Sequence, residues 1–313
     1  MDASEPADIV SQWPCLPLEE VECCLCGSGD RRELCRERFA GYEFRVVECM
    51  RCGLAFTSPR PSAALREAVH TPAVRNALVD AGIIAARHRI PEDHEAIFDY
   101  AHQEAYRPNY QRGLRLLSRL ASGPRLLDVG CAGGMFLELA REEGFQASGC
   151  DIMPAAIAEA RRRGLDAHCC PLEEAPFAPE TFGALTLWNV IEHVPNPVEL
   201  VRAAARFLCP RGVLYVETPN FWLRRWQLTR GKAHDPDAYP LISFEHIHHF
   251  TPRSLRATLA AAGLEWLRWD PWNTRPELGP RQRVRRWAAI ALYYASLGQV
   301  NLATPLVAVA RKP

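Results

Sequence analysis

Two pairs of cysteines and one glycine-rich turn carry most of the chemistry legible in this chain. The pairs are Cys23-Cys24-Leu25-Cys26-Gly27 and Cys49-Met50-Arg51-Cys52-Gly53. In each pair two residues separate the outer thiols, so one tight turn can aim both at a single tetrahedral ion, and the glycine that follows permits the turn. Twenty-two residues lie between Cys26 and Cys49, close to the spacing of a four-cysteine zinc site. Cys23, Cys26, Cys49 and Cys52 are the expected ligands; Cys24 could replace Cys23 only with a one-residue spacer. Four protein ligands leave no open position, so the expected zinc is structural rather than catalytic. Cys35, between the pairs, reads as a core thiol.

The turn is Leu126-Leu127-Asp128-Val129-Gly130-Cys131-Ala132-Gly133-Gly134, an apolar run that ends in glycines where a helix begins. Gly130 and Gly134 remove side chains where a ligand must approach. Asp151 closes the next apolar run, 23 residues after Asp128, about where an acid meets ribose hydroxyls in dinucleotide folds. The dinucleotide fingerprint wants Gly or Ala five positions after its first glycine, and that position is Met135. The spacing fits the shorter turn used for S-adenosylmethionine.

These residues need a scaffold, and the alternation of apolar runs supplies one. Strands are predicted at 125–129, 147–150, 167–169, 184–189, 213–217, 264–269 and 306–310. Helices are predicted at 133–143, 154–163, 197–208 and 252–262. Such alternation specifies an α/β fold with a doubly wound, mostly parallel sheet and helices on both faces. Residues 1–60 form a tail and the cysteine module, closed by the stiff Pro59-Arg60-Pro61. Residues 61–110 read as a helical linker or lid with breaks at Pro72, Pro91 and Pro108. Residues 111–313 form the main domain, with an acceptor-covering insertion at about 221–250 and a C-terminal helix and last strand within 281–310.

The 313 residues include 37 Lys+Arg and 37 Asp+Glu, so no global field attracts nucleic acid. No segment reaches the roughly 18 apolar residues of a membrane span. The acidic, Pro-containing N-terminus lacks a basic start and an apolar core, so it does not read as a signal peptide, and a cytoplasmic location is expected. Twelve cysteines then point to metal binding and buried thiols rather than disulfides.

Residues 111–270, with the last strand, resemble the class I S-adenosylmethionine-dependent methyltransferases. The resemblance rests on the 126–134 turn, Gly-Cys-Asp at 149–151, Leu-Trp-Asn-Val-Ile-Glu-His-Val-Pro-Asn-Pro at 187–197, Pro-Arg-Gly-Val-Leu at 210–214 and Glu-Thr-Pro-Asn at 217–220. It implies a Rossmann-like, seven-stranded sheet carrying a small N-terminal zinc ribbon. One departure is Ala132, where the family usually has glycine; it implies a negative φ or a slightly tighter site. By the same resemblance, Asp128 would fix the turn or face the methionine amino group. Gly130, Ala132 and Gly134 would line the methionine end, with Asn189 touching it. Asp151 would take the ribose hydroxyls, and Leu172 and Glu173 would border the adenine.

Methyl transfer from a sulfonium is an in-line displacement that chiefly needs alignment. An alcohol or phenol nucleophile also benefits from a base, for which histidine suits neutral pH. Glu192 and His193 follow the fourth strand at the open mouth of the sheet, and His246 lies in Glu245-His246-Ile247-His248-His249-Phe250; His193, His246 and Glu192 are the catalytic candidates. The Glu-His-Val-Pro-Asn-Pro run resembles that of ubiquinone-pathway O-methyltransferases. In those an additional acid precedes the Glu-His pair; here the position is Asn189.

A cysteine-paired ribbon ahead of such a core resembles a bacterial group associated with sugars, cell-surface polysaccharides and secondary metabolites. A small-molecule or glycan acceptor is the first expectation. An RNA methyltransferase using the ribbon as its contact ranks second, and a non-catalytic cofactor-binding module third. Arg224, Arg225, Arg230 and Lys232, with Trp222 and Trp226, could contact an acceptor or form a solvated loop. Residues 281–297 begin Arg-Gln-Arg-Val-Arg-Arg and continue apolar. They suit a helix packed on the last strands, with peripheral contact to an anionic membrane as the alternative.

Overall fold

A computed structural model describes residues 17–39, 41–62, 71–84, 100–232, 244–272, 280–297 and 300–313, with Ser11, Trp13, Leu65 and Arg66. Pro91 and residues 233–243 of the insertion lie outside the described residues. In chain order the strands and helices are β1 (Leu18–Glu19), β2 (Arg31–Phe39), β3 (Tyr42–Cys49), β4 (Ala55–Thr57), β5 (Arg60–Pro61), α1 (Pro72–Asp80), α2 (Tyr100–Leu120), β6 (Arg125–Val129), α3 (Met135–Glu142), β7 (Gln146–Asp151), α4 (Pro154–Arg162), β8 (Asp166–Cys169), β9 (Phe182–Trp188), α5 (Pro197–Phe207), β10 (Leu208–Thr218), α6 (Trp222–Leu228), β11 (His248–His249), α7 (Pro252–Ala261), β12 (Glu265–Trp269), α8 (Pro280–Ala295) and β13 (Leu306–Arg311). The chain forms two compact units, residues 1–97 with 224–248, and residues 98–223 with 249–313.

In the first unit β2, β3 and β4 form an antiparallel ribbon with β3 central, Phe39 opposite Tyr42 and Val47 opposite Phe56. Tyr42 and Phe44 point to one face, as period-two alternation requires. They meet Leu65, Val74, Leu78, Ile84 and Phe244 in a small core. Thr71 and Pro72 start α1, proline being tolerated at a first helical position, where its missing N–H costs nothing. Residues 224–248 are part of this unit through side chains: Glu48 is buried and paired with Arg32 at 2.6 Å and with Arg225, and Arg75 meets Glu245 at 2.8 Å.

The second unit is built on a seven-stranded sheet of order β12-β13-β10-β9-β6-β7-β8. β13 is antiparallel to both neighbours and the remaining pairings are parallel. All seven predicted strands and the four helices at 133–143, 154–163, 197–208 and 252–262 are present, displaced by one or two residues at most ends; β10 begins five residues earlier, at Leu208. Every residue of β9 is buried, consistent with a strand covered on both faces.

Pro108 corrects one expectation. It lies inside α2 and does not break it. Proline removes one main-chain bond to the preceding turn. Tertiary packing outweighs that loss: Leu114 and Leu117 are fully buried, and the Tyr110 ring lies 4.9 Å from Trp188 and 5.4 Å from Phe136.

Candidate functional site

β6 and β9 are parallel neighbours, but the chain leaves β6 toward β7 and leaves β9 toward β10, on opposite sides. This reversal opens a crevice beyond the strands' carboxyl ends, the usual ligand site of open α/β sheets. Two loops meet there, residues 130–134 after β6 and 189–196 after β9.

The first loop is held by main-chain bonds. The amides of Gly130 and Cys131 donate to the Cys150 carbonyl at 2.8 and 3.2 Å. The Asp151 carboxylate accepts from the amides of Ala132 at 3.0 Å and Met153 at 2.9 Å, so it stitches the turn after β6 to the turn after β7. A carboxylate offers about four lone-pair positions, which leaves capacity for hydroxyl donors. Burial raises the Asp151 pKa above the ordinary carboxylate range.

Gly134 is glycine for a reason other than the one expected. It has φ 89, and a Cβ there would lie 2.2 Å from Leu165 Cδ1 and 3.3 Å from the Ala160 Cβ. The space is filled by protein, so its missing side chain brings α3 close to α4. At Gly130 (φ 74) the Val190 side chain fills the same role at 2.6 Å. Ala132 has φ 51, so the negative φ expected as one alternative is not adopted.

Asp128 is buried on β6 and accepts a 2.6 Å hydrogen bond from the Thr186 hydroxyl of β9. Burial pushes its pKa up to about 8. Asn189 also has φ 51, a conformation asparagine tolerates, and its amide donates to the Glu217 carbonyl at 2.9 Å. Leu172 is buried and Glu173 exposed in a single 3₁₀ turn after β8. Glu192 is buried, accepts from the Thr218 hydroxyl at 3.0 Å, and is pushed up to about 8 by burial. Its Oε1 lies 4.0 Å from Nε2 of half-buried His193 and has no hydrogen-bond partner among the described residues.

Gly130, Ala132, Asp151, Asn189 and His193 are half-buried at this edge, whereas Asp128, Gly134 and Glu192 lie beneath it. The accessible set offers a carboxylate for hydroxyls and a bare backbone for a polar amino-acid end, which fits S-adenosylmethionine. The sequence alone assigns no role to Thr186 or Thr218; Thr186 is a lone hydroxyl in an otherwise apolar buried strand, whereas Thr218 follows the buried Glu217 in the Glu-Thr-Pro-Asn motif. Part of the resemblance motif proves architectural. Asn196 caps α5 through Oδ1, accepting from the amides of Val198 and Glu199, with Pro197 in the first turn. Asn220 donates to the carbonyls of Asn301 and Ala303.

In the first unit the four cysteine sulfurs converge. Cys23 and Cys52 are 3.4 Å apart, Cys26 and Cys49 are 3.5 Å apart, and all four lie within 4.8 Å of one another. Zn–S bonds of about 2.3 Å in a tetrahedron place sulfurs roughly 3.8 Å apart, so the donor set fits. The two turns are alike: Gly27 donates to the Cys23 carbonyl at 2.7 Å and Gly53 to the Cys49 carbonyl at 2.9 Å. Cys24 points elsewhere, 3.4 Å from Nε2 of buried His248. Cys35 is buried and pushed up to about 12 by burial. His246 belongs to this unit, and Glu192 and His193 to the other. Arg225 is engaged with Glu48, while Arg230 stacks 4.4 Å from the Trp226 ring centre. His249, in the second unit, packs 5.1 Å from Phe221.

The methyltransferase domain family matches residues 100–268, more than half of the chain. A ubiquinone biosynthesis O-methyltransferase of Xylella fastidiosa (strain M23) is 32% identical over 173 residues, 51% of this chain and 70% of that protein. One from Xanthomonas campestris pv. campestris (strain B100) is 30% identical over 175 residues, 52% and 73% respectively. Among solved structures, an S-adenosylmethionine-dependent methyltransferase from Mesorhizobium loti aligns with TM-score 0.44 and 18% identity, covering 66% of this chain and 98% of that one. The chain belongs to the methyltransferase domain family, and it is a class I S-adenosylmethionine-dependent methyltransferase with a four-cysteine cluster compatible with a zinc module.

Proposed function

We propose that the protein methylates a hydroxyl oxygen of a small-molecule or sugar-containing acceptor, with His193 as the base. The observation that carries this reading is the Glu192–His193 pair at the carboxyl end of β9, in the same unit as the glycine turn. The names of the O-methyltransferase relatives support oxygen as the target. Their matches cover about half of this chain, so they do not carry the acceptor over.

S-adenosylmethionine, when bound, supplies a methyl group on a positively charged sulfur, and the thioether that leaves is neutral. Asp151 would hold the ribose hydroxyls; Gly130, Ala132 and Asn189 would border the methionine end. The neutral His193 imidazole would accept the acceptor's hydroxyl proton as the new carbon–oxygen bond forms and the methyl–sulfur bond breaks. Glu192 backs the imidazole from beneath.

Cys23, Cys26, Cys49 and Cys52 would hold one structural zinc ion. With four sulfur ligands the ion has no position for an acceptor, so this reading keeps the reaction at the β6–β9 mouth.

The test is incubation of the purified protein and labelled S-adenosylmethionine with either a small-molecule extract or total RNA. Label is expected in the small-molecule fraction, and label in RNA alone overturns the reading. With that acceptor, His193→Ala should lower kcat by roughly 10²–10⁴ and leave cofactor affinity, measured by calorimetry, unchanged. Full turnover by His193→Ala would remove the base assignment.

A further inference from the structure

The α8 helix has two apolar faces, and the fold uses one. Ala289, Ile290 and Tyr293 are buried. The Tyr293 hydroxyl donates to the Trp269 carbonyl at 3.1 Å, and an Arg286 N–H donates to the Trp272 carbonyl at 2.5 Å. This is the packed helix that the sequence favours. The opposite face is exposed and equally apolar: Val284 is 70% exposed, Trp287 58%, Leu292 41% and Tyr294 50%, and Leu297, just past the helix end, 90%. Ala288, Ala291 and Ala295 are exposed as well.

Helical geometry turns these residues into one surface. At about 100° per residue, Val284, Trp287, Ala288, Ala291, Leu292, Tyr294 and Ala295 fall within roughly 80° on either side of one line. Arg283 and Arg285, both exposed, flank that stripe at roughly 100° from its centre. The buried residues occupy the remaining arc. Residues 280–297 contain four arginines and no aspartate or glutamate. Trp272 braces the aromatic side of the stripe: its ring lies 5.7 Å from Trp287, and its indole N–H donates to the Tyr294 hydroxyl at 2.8 Å.

We propose that this face docks the protein on an anionic lipid surface, with α8 lying in the plane of the interface. The charge pattern selects the partner. An acid-free helix bordered by arginines is complementary to a negatively charged surface. The long arginine stems can lie along the apolar region while their guanidinium groups stay at the headgroups. Trp287 and Tyr294 have the mixed polar and apolar character that suits such a boundary. The proposed contact is peripheral, with α8 in the plane of the interface rather than across it. The proposal is independent of the acceptor and of the base.

Co-sedimentation of the whole protein with vesicles tests it. Phosphatidylglycerol-containing vesicles should retain the protein at low salt, and phosphatidylcholine vesicles should retain far less. High salt should weaken retention, because exposed charges are screened within about 10 Å at 0.1 M. Removing two interfacial arginines, Arg283→Ala with Arg285→Ala, should weaken retention roughly thirtyfold. Trp287→Glu should abolish it while the protein stays folded by circular dichroism, because the side chain is mostly exposed and loses only its edge contact with Trp272 within the fold. Absence of retention on anionic vesicles, or equal retention of the variants, overturns the proposal. So does sedimentation velocity showing a dimer that Trp287→Glu converts to monomer, since the face would then be covered by a second copy.

Discussion

Ala132 holds a left-handed backbone, φ 51, in a turn where its neighbours Gly130 and Gly134 adopt φ 74 and φ 89. A side chain in that region is strained by about 1–2 kcal/mol, while glycine adds some freedom to the unfolded chain. The net expectation is that Ala132→Gly stabilises the protein by about 1 kcal/mol in denaturant unfolding. Gly134→Ala should do the reverse. It adds the same backbone strain and drives a Cβ to 2.2 Å from Leu165, so a loss of roughly 3 kcal/mol is expected. The pair separates two roles that look alike in the sequence: one glycine that packing demands, and one position where alanine is borne at a cost.

At the scale of elements, the proposed zinc makes a prediction about the β2–β3–β4 ribbon. The ribbon and its two cysteine turns occupy residues 23–57, and a segment of that size buries too little apolar surface to stand alone. A four-cysteine zinc site contributes on the order of 10–16 kcal/mol at neutral pH. Chelation, or Cys49→Ser, is therefore expected to unfold this ribbon. Amide exchange should show residues 31–57 losing protection while β6, β7 and β9 keep theirs. Protection unchanged by a chelator that removes bound zinc would sink the structural role. Cys24→Ser, which alters the contact with His248 and removes none of the four clustered sulfurs, should leave zinc content intact.

For the whole molecule, balanced charge leaves pH dependence to particular buried groups. Asp128 and Glu192 are raised to about 8 in the folded protein, against about 4 in an unfolded chain. Between those values the folded state binds protons that the unfolded state has released, so stability falls as pH rises. The contribution is fully present below about pH 4 and is lost as pH passes through about 8. Asp128→Asn mimics the protonated acid and can still accept from Thr186. Its denaturant midpoint should exceed the parent protein's by a much larger margin near pH 8.5 than near pH 5. Equal midpoints at both pH values would show that Asp128 does not titrate in this range.

The sequence by itself determined the sheet and the two clusters of chemistry. Apolar runs of strand length alternating with helical periodicity admit few arrangements, and the 126–134 and 149–151 segments then had to end side by side. The cysteine pairs were equally legible, because two residues between thiols is a local geometric requirement. Tertiary structure decided the rest, for reasons that act at a distance. Proline's local penalty at Pro108 lost to the packing of Tyr110, Leu114 and Leu117. The cause of Gly134 lies in Leu165, thirty-one positions away. The partners of Asp128 and Glu192 are threonines on neighbouring strands, and residues 224–248 join the cysteine-bearing unit through Glu48 and Arg75. Periodicity records what one segment prefers, whereas each of these contacts depends on which distant segment the fold sets beside it.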